Sequence, residues 1–176
     1  MSNARGRNLL GAFVVAVHDK MQQRAEAEIA MGGQAAAALV TIGHNYGQSV
    51  EFLSSVLQLS HSGCVRLADK LHEQELIVRK PGIDRRSVAL YLTATGHERK
   101  RDVLRARREA LDTVFDTLGD HQQEQLVELM EVMLQSITTS KNEADVICRL
   151  CEERVCAQAR CPVTLGAIAH GADMNG

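Results

Sequence analysis

Four of the chain's five cysteines lie close together near the C-terminus, at Cys148, Cys151, Cys156 and Cys161. Their spacing is C-x2-C-x4-C-x4-C, and Pro162 follows the last of them. Thiolate sulfur is the ligand that iron–sulfur clusters and structural zinc have in common. In a cytosolic protein, clustered cysteines more often bind metal or undergo redox chemistry than form structural disulfides. The segment is therefore predicted to be metal-binding or redox-active.

The sequence alone does not decide which ligand these cysteines bind. Four thiolates and a proline after the last cysteine favour an iron–sulfur cluster, although ferredoxin segments have tighter gaps. Zinc suits four thiolates equally well, but zinc knuckles of this spacing use glycines, and residues 148–161 contain none. A thiol–disulfide switch and a tail without a ligand also stay open. Residues 146–165 are thus predicted to be a metal-binding extension, with an iron–sulfur cluster preferred and zinc as the alternative.

Composition indicates a mainly helical protein. The 176 residues are 45% hydrophobic and 3% aromatic, with two prolines, which favours helices around an aliphatic core. No apolar run reaches the length of a transmembrane helix. The apolar stretch 9–17 is followed by His18, Asp19 and Lys20 instead of a small-residue cleavage site. We therefore expect a cytoplasmic protein with no membrane partner.

Charge is unevenly distributed along the chain. The net charge is −2, yet residues 60–110 hold twelve Lys and Arg against seven Asp and Glu. Such an asymmetry is typical of a locally basic binding face on an otherwise acidic protein. A solvated helix face around Arg99–Arg108 would give part of the same excess. The pattern excludes a uniformly basic protein and indicates where a nucleic-acid contact would lie.

Helical periodicity and capping residues divide the chain into elements. Two short apolar runs flank a polar, basic turn in the middle of the chain, which predicts a β-hairpin. Residues 138–145 are polar and are predicted to be a linker. The predicted helices span residues 7–30, 34–44, 50–57, 61–75, 94–118 and 121–139, and the hairpin spans 76–92. The predicted fold class is mainly α with a small β-hairpin wing, which is the plan of a winged helix-turn-helix domain flanked by further helices.

Two motifs carry a family resemblance. Asp84-Arg85-Arg86 matches a D-x-R motif in the predicted hairpin turn, and the segment Leu92–Gly96 reads L-T-x-x-G. With the order of the elements, these residues resemble the MarR family of bacterial transcriptional regulators over about residues 7–139. The family commonly has glycine where this chain has Glu75, so a small local change is expected there.

The predicted DNA-binding residues lie in the recognition helix and the hairpin. The N-terminal end of a recognition helix enters the major groove and needs small or polar side chains. In the wing, Arg85 and Arg86 are candidates for the minor groove and its phosphates. The resemblance implies that Asp84 orients an arginine, whereas a bare Asp84–Arg86 pair would only stabilise the hairpin. The recognition-helix candidates are Ser60, which is also a helix-capping residue, His61, Ser62, Arg66 and Lys70.

The resemblance also implies partners and a domain plan. It implies a homodimer that reads a pseudo-palindromic double-stranded DNA operator, with half-sites about 10 base pairs apart, and most simply a repressor. Residues 7–33 and 93–139 would supply the dimerisation helices, and residues 34–92 would form the winged helix-turn-helix domain. An effector site between these parts would follow from the family, but no residue identifies a small molecule.

An enzymatic role is not expected, because the sequence has no glycine-rich phosphate loop and no H-E-x-x-H motif. Cys64 on the recognition helix is expected to be a small packing residue. A protein of another class would also fit, namely a protein–protein interaction module in which a zinc-stabilised tail serves as a docking element.

Overall fold

The computed structural model describes residues 3–82, 88–156 and 158–173. In that part of the chain a mainly helical fold carries one two-stranded antiparallel sheet. The elements are α1 (Ala4–Ile29), α2 (Ala35–His44), α3 (Val50–Leu57), α4 (His61–Glu73), β1 (Ile77–Pro81), β2 (Val88–Leu92), α5 (Ala94–Phe115), α6 (Asp120–Ile137), α7 (Lys141–Cys148), a 3-10 turn (Gln158–Arg160) and α8 (Pro162–Ala169). None of the described helices is both long and apolar enough to cross a bilayer.

The predicted fold class is confirmed. Helix α3 has the predicted bounds, and the hairpin pairs β1 with β2 from Ile77↔Leu92 to Pro81↔Val88. An extra bridge joins Ser49 to Ala89, so the segment before α3 lies beside the wing. The helix ends differ from prediction by a few residues, because polar residues at helix ends are compatible with both helix and loop.

Helix α2 forms the centre of the core. Its residues 35–43 are all buried, and they pack with large apolar side chains of the neighbouring elements, including Leu53, Leu71, Ile77 and Leu90. A run of alanines lets α3, α5 and the wing strand β2 approach this helix closely, since alanine adds little bulk. The helix-turn-helix pair and the wing are therefore held on one common support.

Local capping explains why α3 and α4 begin where they do. The Ser49 hydroxyl accepts a hydrogen bond from Phe52 N at 3.2 Å, and the Ser60 hydroxyl accepts one from Gly63 N at 3.1 Å. Between the helices, Gln58 adopts a left-handed conformation with φ 53°, which ends α3 in one residue. The result is the tight turn that separates the two helices of a helix-turn-helix.

The predicted linker at 138–145 is wrong, because helix α7 begins at Lys141. The Ser140 hydroxyl accepts a hydrogen bond from Glu143 N at 3.2 Å. The Glu143 carboxylate in turn accepts from Thr139 N and from the Thr139 hydroxyl, both at 2.7 Å. The polar residues taken for a linker are thus the capping sequence of a helix.

A further helix, α8, follows the cysteines, and Pro162 is its first residue. Proline is favoured at the first position of a helix because the missing N–H has no intrahelical partner there. At Gly166, α8 crosses α6 so closely that a Cβ would lie 2.5 Å from Gln135 O and 2.9 Å from Thr138 O. Residues 141–156 and 158–169 therefore form a folded extension packed against the end of α6.

Two helix faces stay apolar and exposed within the single chain. On α1, large apolar side chains are about half exposed, and on α6 no residue is buried at all. These side chains are Leu9, Leu10, Phe13, Val14 and Val15 on α1, and Val127, Leu129, Val132, Met133 and Ile137 on α6. Contiguous apolar surface of this kind marks an interaction face.

Candidate nucleic-acid interface and cysteine loop

Helix α4 has one buried and one exposed face. Cys64, Ala68 and Leu71 are buried in the core at helical spacing. The five predicted DNA-binding residues of this helix and its cap, Ser60, His61, Ser62, Arg66 and Lys70, are all exposed. The fold therefore brings these residues onto one solvent-facing surface, which we call the α4 surface.

The start of the α4 surface is fixed by the Ser60 cap. Besides its bond from Gly63 N, the Ser60 hydroxyl lies 3.4 Å from the Ser62 hydroxyl. The capping role expected for Ser60 is confirmed, and it presents the first turn of α4 with its free backbone N–H groups toward solvent. Such a helix end favours contact with an anion such as a phosphate.

Sequence reasoning missed two basic residues of the wing strand. Arg79 Nη2 on β1 lies 2.7 Å from Asp69 Oδ1 on α4, and Lys80 Nζ lies 5.0 Å from the centre of the Tyr91 ring. The ion pair ties the wing to α4, and the cation–π contact orients Lys80 along the hairpin. The signal in the sequence was the Arg-Lys pair at the end of the first apolar run.

The predicted wing-tip residues lie outside the described part of the chain. These are Asp84, which was predicted to orient an arginine, and Arg85 and Arg86, which were predicted to contact DNA. Their roles remain predictions, and only the flanking strands, which end at Pro81 and begin again at Val88, are placed.

The L-T-x-x-G motif joins the wing to the end of α4. The Thr93 hydroxyl accepts a hydrogen bond from Gly96 N at 2.9 Å and donates to Glu75 O at 2.6 Å. Gly96 packs directly on Leu76 O, which leaves no room for a Cβ. The motif therefore fixes the angle between the recognition helix and the strand that follows it.

Glu75 adopts the conformation that glycine would favour. Its φ is 57°, in the left-handed region, where a side chain adds steric strain. Its N–H donates to His72 O at 2.9 Å and closes the helix end. The departure from the family pattern thus costs local strain and leaves the fold intact, as expected.

Cys64 is a packing residue, as predicted. It is fully buried, and its Sγ lies 3.6 Å from Val50 O, toward which it donates. Burial raises the pKa of this thiol to about 11. Since the thiolate is the reactive form, Cys64 is unreactive at neutral pH.

The other four cysteines belong to the loop between α7 and α8, which we call the cysteine loop (residues 148–161). Cys148 ends α7, and Cys161 is the N-cap residue of α8. Both pack against the small apolar cluster of the extension. Cys151 is half-buried within the loop, and Cys156 is exposed. The extension therefore brings the four thiols of one chain into the same small region.

Cys148 and Cys151 act as a pair. The Cys148 thiol is hydrogen-bonded to the Cys151 sulfur, and Cys151 N donates to Cys148 O at 2.8 Å. This sulfur–sulfur bond lowers the pKa of Cys151, helped by the positive charge of Arg107, and raises the pKa of Cys148. Deprotonation of the pair is therefore favoured at Cys151 over Cys148. Thiolate is the form that binds metal.

Among the described residues, no three side chains of the Cys, His, Asp and Glu types come together as a group that could hold a metal ion. Four-thiolate ligation needs all sulfurs at about 2.3 Å from one centre for zinc. The cysteine loop would have to contract around a metal from its present arrangement. Pro162, which favoured a cluster at the sequence level, is accounted for by helix initiation.

Comparison with known proteins agrees with this geometry. No protein-family model matches the chain. It is 28% identical over 113 residues to the transcriptional repressor MprA of Escherichia coli, a match that covers 62% of this chain and 64% of that repressor. The chain thus spans less than two thirds of the curated relative's length.

Solved structures show the same architecture. RV1404 from Mycobacterium tuberculosis matches with a TM-score of 0.68 and 19% identity, covering 78% of this chain and 95% of that one. A MarR transcriptional regulator from Methanosarcina mazei matches with a TM-score of 0.61 and 21% identity, covering 73% and 95%. The chain has a winged helix-turn-helix fold of the kind found in transcriptional regulators. More closely, it has the fold of the MarR family.

Proposed function

We propose that the chain is a DNA-binding transcriptional regulator, most simply a repressor, and not an enzyme. The observation that carries this proposal is the α4 surface. Its polar and basic residues all face solvent, while the opposite face of the helix is locked into the core. Lys80 adds a positive charge on the wing strand, while the charge of Arg79 is balanced by Asp69. The resemblance to a named repressor supports the same conclusion.

The exposed apolar faces of α1 and α6 support a homodimer. A monomer that left these faces in water would carry an unusually large apolar surface, and a second copy of the chain would cover both by symmetry. Two α4 helices would then meet successive major grooves about 10 base pairs apart. Light scattering should give twice the 19.3 kDa chain mass; a monomer at micromolar concentration would contradict the dimer.

DNA binding is tested with duplexes selected from a random pool by the wild-type chain. The double variant Arg85→Ala/Arg86→Ala should weaken binding by roughly tenfold or more and make it less dependent on salt, since fewer phosphates are neutralised. Arg24→Ala is the matched control, because Arg24 lies on α1 and pairs with Glu109 at 3.8 Å. If the chain selects no duplex from the pool, the proposal of DNA binding is refuted. The alternative function, a protein–protein interaction module, is then favoured.

We further propose that Cys148, Cys151, Cys156 and Cys161 ligate a metal centre, with an iron–sulfur cluster as the first expectation and zinc as the alternative. The proposal is supported by the shared location of the four thiols, of which Cys148 and Cys161 pack against the same apolar cluster. Arg107 adds positive charge beside these sulfurs, which offsets part of the negative charge of a thiolate-ligated centre. A cluster that can be lost or oxidised would make DNA binding responsive to redox conditions.

The metal is identified by purifying the chain anaerobically and measuring its absorbance, iron, sulfide and zinc. A brown protein with iron and sulfide, lost in Cys148→Ser/Cys151→Ser, would support the cluster. A colourless protein with one zinc per chain would refute the iron–sulfur cluster and support a zinc site. A metal-free protein that forms disulfides on mild oxidation would instead support the thiol–disulfide switch. Cys64→Ser is the control that should leave metal content unchanged.

A further inference from the structure

The cysteine loop is joined to the DNA-binding domain through His44. His44 Nε2 lies 3.1 Å from Cys151 O, to which it donates. On the other side of the ring, Nδ1 lies 3.1 Å from Glu153 Oε2 and 3.2 Å from Lys100 Nζ. His44 is largely buried, with 11% of its side chain exposed. One imidazole therefore holds both the backbone and a side chain of the cysteine loop.

His44 is also directly connected to the wing. It is the last residue of α2, and the segment that follows pairs with β2. Gly47 N donates to Leu90 O at 3.3 Å, and Leu90 N donates to Gln48 O at 3.0 Å. A displacement of His44 would thus be transmitted to the hairpin through Gly47, which lies only three residues further along the chain.

The extension touches the helix-turn-helix at a second place. Helix α7 packs on α3, the first helix of that pair. At this contact a polar cavity of about 40 Å³ is lined by Thr41 and His44 from α2, Val56 from α3, and Asp145 and Cys148 from α7. A polar cavity of this size has room for a water molecule.

The other end of the extension is anchored on the proposed dimer helix. Gly166 on α8 lies against the backbone carbonyls of Gln135 and Thr138 at the end of α6. The extension therefore spans from α6 at one end to α2 and α3 at the other, and the cysteine loop lies between the two attachments.

We infer that His44 couples the state of the cysteine loop to the position of the DNA-binding domain. The inference rests on the proposed function, in which Cys151 is a ligand. Its carbonyl is the atom that His44 holds, so a movement of the Cys151 sulfur toward a metal displaces the acceptor of the same residue. In this proposal His44 is a positioning residue that acts through its ring contacts with Cys151, Glu153 and Lys100. Sequence reasoning missed it because it was one of seven scattered histidines.

The test is a double-mutant cycle on DNA affinity. The probe is a duplex selected from a random pool by the wild-type chain. Its dissociation constant is measured for the anaerobically purified wild type, for Cys148→Ser/Cys151→Ser, and for both forms again with His44→Leu. Loss of the cysteine pair should change the affinity by about fivefold or more in the wild-type background. With His44→Leu, the same cysteine change should alter affinity by less than about twofold.

His170→Leu is the matched control, because this histidine follows α8 and its ring donates to Gly166 O at 3.0 Å, not to a residue of the cysteine loop. It should preserve the full response to the cysteine change. Glu153→Gln, which weakens the junction without removing the imidazole, should give an intermediate response and replaces His44→Leu if that variant fails to fold. If loss of the cysteine pair changes DNA affinity equally in the wild type, in His44→Leu and in Glu153→Gln, the inference is overturned while DNA binding stays intact. A wild type whose affinity ignores the cysteine pair also overturns it. Failure of the wild type to bind any duplex refutes the proposed function itself.

Discussion

Gly96→Ala should destabilise the folded chain by disturbing the joint between the recognition helix and the wing. A Cβ at this position would overlap Leu76 O. That carbonyl cannot easily withdraw, because it accepts a hydrogen bond from Thr93 N at 3.1 Å. Both partners in the clash are therefore fixed backbone.

The magnitude follows from three opposing contributions. Forcing a methyl group into a packed site costs about 1–3 kcal/mol, and loss of a neutral hydrogen bond from Thr93 costs about 1 kcal/mol more. Alanine regains up to about 1 kcal/mol through its better helix propensity. We expect a net loss of about 2 kcal/mol, which corresponds to a fall in Tm of roughly 4–8 °C for a chain of this size.

Urea unfolding followed by circular dichroism measures this change. Thr95→Ala is the matched control, because Thr95 is exposed in the same turn and should change stability by less than about 0.5 kcal/mol. If Gly96→Ala unfolds at the same urea concentration as Thr95→Ala, the close contact with Leu76 O does not exist in solution.

Three further predictions concern other positions. Glu75→Gly should raise stability by up to about 1 kcal/mol in urea unfolding, since it relieves the left-handed strain, whereas Lys70→Gly at an exposed position inside α4 should lower it. The folded pKa of Cys64 is raised from 9.0 to about 11, so its contribution to stability is full below pH 9 and is lost as pH rises toward 11. Cys64→Ala should flatten that part of a stability–pH profile, and an unchanged slope would contradict the burial of the thiol. Gly166→Ala should push α8 away from α6, so that hydrogen exchange speeds up over residues 162–169 but not over α2.

The sequence was sufficient for the elements whose residues follow a simple rule. Serines at positions 49 and 60 predicted the starts of α3 and α4, and the structure shows both capping bonds. The hairpin followed from two apolar runs around a polar turn. The exposure of the α4 surface follows from the helical spacing of Cys64, Ala68 and Leu71, which fixes the buried face.

What sequence reasoning missed depends on contacts between distant residues. Helix α7 was taken for a linker because its caps are polar, and polar residues at a helix start resemble a loop until their bonds are known. Pro162 was interpreted through the cysteine before it, although its role is to begin α8. The contacts of His44 with Cys151 and Glu153 join residues more than a hundred positions apart. A local sequence pattern does not predict such a contact.

The central claim is that the α4 surface binds DNA, and the affinity of Arg66→Ala for a selected duplex tests it most directly. Fluorescence anisotropy over a range of salt concentrations should show wild-type affinity falling steeply with salt. Arg66→Ala should bind about 5- to 150-fold more weakly if the side chain reads a base edge, while Arg24→Ala on α1 should bind like the wild type. Equal affinities for all three proteins at every salt concentration would contradict the claim.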